Sequence, residues 1–339
     1  MRISPRPHRS SKPCRTVSII GTGSYAPERI LTNHDLEKMV DTSDQWIRTR
    51  TGIRERRIAK DSETTSDMGS RAALAAMEQA KVTPEEIDLI IVATATPDHQ
   101  FPATACFVQK KIGAINAACF DVSAACSGFL FALEIAQQFI STHVYNTVLI
   151  IGADKLSAIT DWTDRNTCVL FGDGAGAAIL RNRPHSHGVI STYMGSDGAF
   201  TDILFMPAGG TRCPITPENI GQRLNTLKMS GKEVYKQAVI SMFNAATRVL
   251  DEAGLQYEDI DCVIPHQANL RIIEAIAERM GLPMDKFYVN LDRFGNTSAA
   301  AVAMALDEAH RTGRIQIGDY ILLIVFGGGL TWASSVIQW

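Results

Sequence analysis

The sequence predicts a layered α/β protein built from two copies of one unit, and three observations carry that reading. First, "VTPEEIDLIIVAT" (82–94) and "LQYEDIDCVIPHQ" (255–267) share an acidic turn, an Ile-Asp pair and an apolar run, with Asp88 and Asp261 173 residues apart. Second, the same offset of 173 relates "VLII" (148–151) to "ILLI" (321–324), Leu133 to Leu306, and Val17 to Ile190. A single offset at four separated places marks an internal repeat. Third, short apolar runs such as VSII, DLIIVA, ACFDV and TVLIIG alternate with longer stretches of helical periodicity, the pattern of strands buried on both faces between helical layers.

In chain order, residues 1–16 carry five Arg or Lys and no acid, and they lack the apolar core of a secretion signal, so they are expected to be a flexible extension. The first copy then runs over 17–188 and the second over 189–339. "IIGTGSYA" (19–26) imitates a dinucleotide fingerprint, but Pro27 follows at once and a tight turn is expected instead. Thr83, Pro84 and Glu86 mark a short helical turn. "MSGKEV" (229–234) imitates the end of a phosphate loop, yet Glu233 stands where a magnesium-binding hydroxyl belongs. It reads as a helix start with a Ser230–Glu233 capping box, ended by Gly254. "FGDGAGAAIL" (171–180) and "FGGGLTW" (326–332) are rich in glycine without phosphate-loop spacing, and they fit either close backbone packing or the lining of a site.

Composition excludes several classes. The chain of 339 residues is 45% hydrophobic and 20% charged with a net charge of −3, which gives no global basic field for nucleic acid. No apolar run reaches the roughly 18 residues that cross a bilayer, so no membrane partner is expected. The seven cysteines (14, 106, 119, 126, 168, 213 and 262) are scattered and include no C-x-x-C pair, which fits a reducing compartment, the cytoplasm, and argues against a disulfide or zinc framework. His185 and His187 lack partners for a metal site.

"FDVSAACSGFLFAL" (120–133) holds the most telling thiol. Cys126 stands where a strand gives way to a helix, and the unpaired N–H groups and dipole of a helix start favour a thiolate. Opposite it under the repeat lies "FGNTSAAAVAMAL" (294–306), with Ala299 at the matching position and Asn296 close by, and "PHQANLR" after the second Ile-Asp strand adds His266. The order Cys126, His266, Asn296 also resembles a papain-like cysteine protease, but that family's local cysteine motif is absent and duplicated α/β halves are the wrong architecture for it.

Together, "IIGTGSYAPE", "DTSDQWIRTRTGIRERRIA", "FDVSAACSGF", "FGDGAGAA", "PHQANLRII", "LDRFGNTSAA" and "VFGGGLTW" resemble the β-ketoacyl-acyl-carrier-protein synthase III family of the thiolase superfamily, from about Val17 to Trp339. The resemblance implies a thiolase-like fold of two βαβαβαββ halves in a layered αβαβα core. It implies a condensing acyltransferase that starts fatty-acid synthesis from a short acyl-CoA and malonyl-acyl-carrier protein, with no metal or other cofactor and as a homodimer. A related enzyme making a specialised ketide shares these motifs. The resemblance assigns Cys126 as nucleophile with His266 and Asn296, and the N–H groups of Cys126 and Gly328 as oxyanion donors. It further implies Trp46 and Arg165 around the CoA adenine, Arg50 on a CoA phosphate, Gly231 and Asn269 along the pantetheine, Phe326 beside the thiol, and Arg271, Lys236 and Arg279 toward the carrier protein. Phe101, in "HQFPATAC", resembles an interface residue that closes the neighbouring subunit's acyl pocket. Tyr235 and Glu278 depart from the family pattern, which often has Phe and a basic residue there.

Overall fold

The computed structural model describes residues 16–183 and 187–339. The reading of the extension therefore lies, except for Thr16, outside the described residues, as does His185. The principal elements of the first half are β1 (Val17–Tyr25), α1 (Thr65–Ala80), β2 (Leu89–Ala93), α2 (Thr104–Ile112), β3 (Ala118–Val122), α3 (Gly128–Ser141), β4 (Thr147–Lys155) and β5 (Asp173–Asn182). Those of the second are β6 (Val189–Ser196), α4 (Gly231–Ala253), β7 (Cys262–Pro265), α5 (Leu270–Met280), α6 (Ala300–Arg311), β8 (Tyr320–Gly327) and β9 (Thr331–Gln338).

The strand orders repeat. One sheet runs β1-β5-β4-β2-β3 and the other β6-β9-β8-β7, with β2–β4 and β7–β8 parallel and the remaining counterparts antiparallel. In place of a partner for β3, the second sheet has an isolated parallel bridge between Val263 and Phe287. The turn at Pro84–Glu86, closed by the Thr83 N–H on Glu86 Oε2 at 2.8 Å, has its twin at Tyr257–Asp259, closed by the Gln256 N–H on Asp259 Oδ2 at the same distance.

Alternation along the buried strands sorts the layers, because successive side chains point to opposite faces. Val148 and Ile150 of β4, with Ile321 and Leu323 of β8, face inward onto Phe129, Leu130 and Leu133 of α3 and Val302 and Leu306 of α6. Leu149 and Ile151 point the other way, onto α1 and α2, while Leu322, Ile324 and Val336 pack on α4 and α5. The result is an αβαβα stack with α3 and α6 at its centre.

Three local expectations need correction or division. "IIGTGSYA" is no turn but the body of β1, because its glycines let α1 approach: a Cβ on Gly23 would lie 2.3 Å from Ala72 O and 2.4 Å from Ala76 N. Helix α4 starts at Gly231 and ends at Gly254 (φ 71°), yet Ser230 makes no side-chain cap, and Glu233 turns along the helix to accept from Gln237 Nε2 at 2.9 Å. The two glycine-rich segments divide between the two readings. Gly176 packs on α6, where a Cβ would lie 2.5 Å from Ala303 Cβ, whereas Gly327 abuts Cys126.

Close packing of β1 on α1 gives a test. Gly23→Ala is expected to lower stability by about 1–3 kcal/mol, since the methyl meets helix backbone that cannot rotate away. Gly198→Ala, which meets nothing within 4 Å, is the control. Equal melting temperatures for the two variants would refute the packing account.

Candidate active site

Cys126 sits in the turn Ala125–Ser127 that opens α3, and it is buried, with 7% exposure. Ala125 before it has φ 45°, a left-handed value uncommon outside glycine, and Ser298, one repeat later, has φ 53°. Such residues cost on the order of 1–3 kcal/mol and persist where their surroundings hold them. Both halves thus bend the chain sharply just before a central helix, after strand β3 in the first and after the short helix Leu291–Phe294 in the second.

His266 follows β7, its N–H bonded to Ile324 O at 2.8 Å, and its Nδ1 makes no hydrogen bond among the described residues. Asn296 is fixed through its backbone, with its N–H on Leu170 O at 2.8 Å and its O accepting from Gly172 N at 3.0 Å. The Ser298 N–H reaches Asn296 Oδ1 at 2.8 Å, so this oxygen is used and Nδ2 remains as the donor.

Cys126, His266, Asn296 and Phe326 line one cavity of about 620 Å³. Trp46, Arg50, Gly231, Asn269 and Arg271 line it too. Trp46 and Arg50 come from the helix Asp44–Thr51, and Asn269 caps α5, accepting the Arg271 N–H on Oδ1 at 3.0 Å. The Arg165 guanidinium lies over the Trp46 ring at 5.0 Å and donates to Asp41 O at 2.8 Å. Lys236 and Arg279 flank a neighbouring groove between α4 and α5, which also holds Tyr235 and Glu278. Phe101 does not join this cavity. It is 86% exposed on the loop before α2.

Burial governs the electrostatics. It pushes the Cys126 thiol up to about 12, against a hydrogen bond from the Ser298 side chain, with the charge of Asp154 adding to the rise. The helix start was expected to favour a thiolate; burial acts against that and is the largest influence on this thiol. Burial lowers His266 to about 4, so its ring is neutral at pH 7. The neutral ring contributes stability in full above its unfolded value of 6.5, and that contribution is lost as pH falls toward about 4.

Sequence reasoning missed Asp154. Its carboxylate is buried at the end of β4, accepting from Thr94 Oγ1 at 3.0 Å, Ala95 N at 2.7 Å, Thr96 N at 3.1 Å, Thr96 Oγ1 at 3.0 Å and Ala299 N at 3.2 Å. Burial raises its pKa against these donors. The signal was an acid placed directly after the apolar run "VLIIGA". Asn166, Leu204 and Met229, also unforeseen, are part of the cavity wall.

The family model of 3-oxoacyl-[acyl-carrier-protein (ACP)] synthase III matches residues 120–198, and its C-terminal counterpart matches 250–339. The β-ketoacyl-[acyl-carrier-protein] synthase III of Caldanaerobacter subterraneus subsp. tengcongensis is 59% identical over 95% of this chain and 97% of its own. The chain belongs to the 3-oxoacyl-acyl-carrier-protein synthase III family. It is thereby a condensing acyltransferase of fatty-acid synthesis. The crystal structure of the Aquifex aeolicus synthase III superposes with a TM-score of 0.89 at 47% identity, covering 95% of this chain and all of that one. The priming β-ketosynthase of a polyketide biosynthetic pathway superposes with a TM-score of 0.90 at 36% identity, covering 98% and 99%. These relatives establish the thiolase-like fold. Among the described residues no group of three or more His, Cys, Asp or Glu side chains is placed to hold a metal, and no helix is long and apolar enough to cross a membrane.

A buried, protonated thiol has a measurable signature. Alkylation of Cys126 by iodoacetamide is expected to rise roughly tenfold per pH unit from about pH 6 to 9 without a plateau, because only the thiolate reacts. A plateau below about pH 8 would show a thiolate already formed at rest.

Proposed function

We propose that Cys126 takes the acyl group of a short acyl-CoA, acetyl-CoA in the first instance, and passes it to malonyl-acyl-carrier protein. The single observation that carries this reading is that Cys126, His266 and Asn296 line one cavity with Trp46 and Arg50. In the first step Sγ bonds to the acyl carbon, the bond to the CoA sulfur breaks, and the thiol proton leaves on CoA. The N–H groups of Cys126 and Gly328 stabilise the oxyanion. In the second step the malonyl group loses carbon dioxide, its enolate attacks the acyl carbon, and the displaced Cys126 thiolate takes up a proton. Neutral His266 and the free Nδ2 of Asn296 are suited to donate to the malonyl thioester oxygen as the enolate charge develops.

CoA enters past Trp46 and Arg165, with Arg50 on a phosphate and Gly231 and Asn269 along the pantetheine. For adenine to lie between Trp46 and Arg165, the guanidinium must lift from its 5.0 Å contact. Arg271, Lys236 and Arg279 gather on α4 and α5 as a local basic face for an acidic carrier, with Glu278 weakening it. The working form is a cytoplasmic homodimer of chains whose halves, 17–188 and 189–339, follow residues 1–16. Similarity to the polyketide priming enzyme supports a second reading, a specialised ketide product. Use of malonyl-CoA in place of malonyl carrier protein would favour it.

Separating the two steps tests the assignment. Cys126→Ala is expected to form no acyl-enzyme by intact mass, and an adduct on that variant would remove Cys126 as the acceptor. His266→Ala and Asn296→Ala are expected to lower carbon dioxide release by about 100-fold to 1000-fold while acylation falls far less. Equal loss of both steps would instead make His266 the base that activates Cys126.

Phe101 tests the dimer and the primer together. Its exposure on one chain suits a ring that closes the acyl pocket of a second. Phe101→Thr is expected to shift preference from acetyl-CoA toward butyryl- or isobutyryl-CoA, each added buried methylene contributing about 0.8 kcal/mol. An unchanged preference, or a parent protein that prefers octanoyl-CoA, would show that Phe101 does not close the pocket.

A further inference from the structure

The duplication places a second copy of the proposed oxyanion site inside the molecule. At the offset of 173, Cys126 corresponds to Ala299 and Gly328 to Lys155, so the twin donors are the N–H groups of Ala299 and Lys155. Both are satisfied from within the chain. The Ala299 N–H donates to Asp154 Oδ2 at 3.2 Å, and the Lys155 N–H donates to Thr96 Oγ1 at 2.8 Å. Thr96 Oγ1 in turn donates to Asp154 Oδ1 at 3.0 Å.

Asp154 itself corresponds to Gly327. A Cβ on Gly327 would lie 2.7 Å from Cys126 N and 3.0 Å from Ser127 N. A side chain at that position would therefore enter the space in front of the Cys126 N–H, as the Asp154 side chain does in front of the Ala299 N–H. One half holds a carboxylate there and the other leaves room for a substrate oxygen.

We propose that Asp154 is an internal occupant of the twin oxyanion site and, through it, the positioning residue that sets Asn296 against the reacting thioester. The connection is short. Asp154 pins the N–H of Ala299, and the preceding N–H, that of Ser298, holds Asn296 Oδ1 at 2.8 Å. Asp154 therefore fixes the backbone that orients Asn296 from a strand of the other half. Toward Cys126 its influence is electrostatic and of the opposite sense, since its charge adds to the rise of the thiol pKa and removing that charge is not expected to slow acylation. This inference rests on the proposed two-step chemistry.

The test uses Asp154→Asn in the full-length protein. An asparagine amide nitrogen cannot accept an N–H, so either the pair from Ala95 and Thr96 or the one from Ala299 loses its acceptor. Carbon dioxide release from malonyl carrier protein is expected to fall about 100-fold, while acylation of Cys126 from acetyl-CoA stays within about threefold, because misplacement near 1 Å costs about that much in the step it affects. Equal loss of both steps, or loss of neither, would overturn the inference. Should Asp154→Asn fail to fold, Thr96→Val removes the hydroxyl that joins Asp154 to Lys155, and the same split, about tenfold against unchanged acylation, decides it. A parent protein that neither acylates nor decarboxylates would refute the proposed chemistry instead.

Discussion

The close approach of two helix starts between two sheets is the constraint on which the molecule depends. Helices α3 and α6 meet the strand ends so tightly that a Cβ on Gly152 would lie 2.2 Å from Ala299 O, and one on Gly128 would lie 2.8 Å from Ala93 Cβ. Only small residues allow this, and both junctions are made of them. The left-handed residues Ala125 and Ser298 serve the same demand, each turning the chain into its central helix within a few residues. Burial of α3 and α6 in one shared apolar cluster holds those bends in place.

Enclosure also decides the charge state of the site. A thiol pushed up to about 12 and an imidazole lowered to about 4 give a pair that is neutral at pH 7. Neutral His266 keeps an N–H to donate and adds no cation that would draw the thiol toward ionisation. Two buried charges nearby are held by fixed hydrogen-bond partners. Asp154 has its ring of donors, and the buried Arg56 guanidinium is held by Leu31 O, Asn33 Oδ1 and Val169 O at 3.2, 2.9 and 2.7 Å. Val169 lines the cavity, so Arg56 braces its wall from behind.

Much of this was legible in the sequence because it rests on periodicity and repetition. The offset of 173 marked strands that the sheets pair in the same order, and apolar runs marked the layers. Cys126, His266 and Asn296 stood out because each lies in a recognisable motif, the first two shortly after strands β3 and β7. What escaped depends on contacts made across the fold. The glycines of β1 suggested a turn because the helix that needs them, α1, begins 40 residues after Tyr25. The thiolate expectation considered the helix dipole, a local property, and burial is not local. Asp154 was passed over because its donors come from 94–96 and from Ala299, segments distant in sequence.

The two halves share a frame, but the cavity wall is built where they differ. Between β4 and β5 the chain makes a long excursion over 156–172, whereas only 328–330 separate β8 from β9. The long excursion supplies Asn166, Val169, Leu170 and Phe171 to the cavity, and the short connection brings Gly327 against Cys126. Segments between the first strand and first helix of each half add Trp46 and Arg50 on one side and Leu204 and Met229 on the other. The repeated frame therefore sets the reactive groups, and the unrepeated connections set what can reach them. A change of substrate in this architecture requires new connections, while a change in the frame would disturb both helix starts at once.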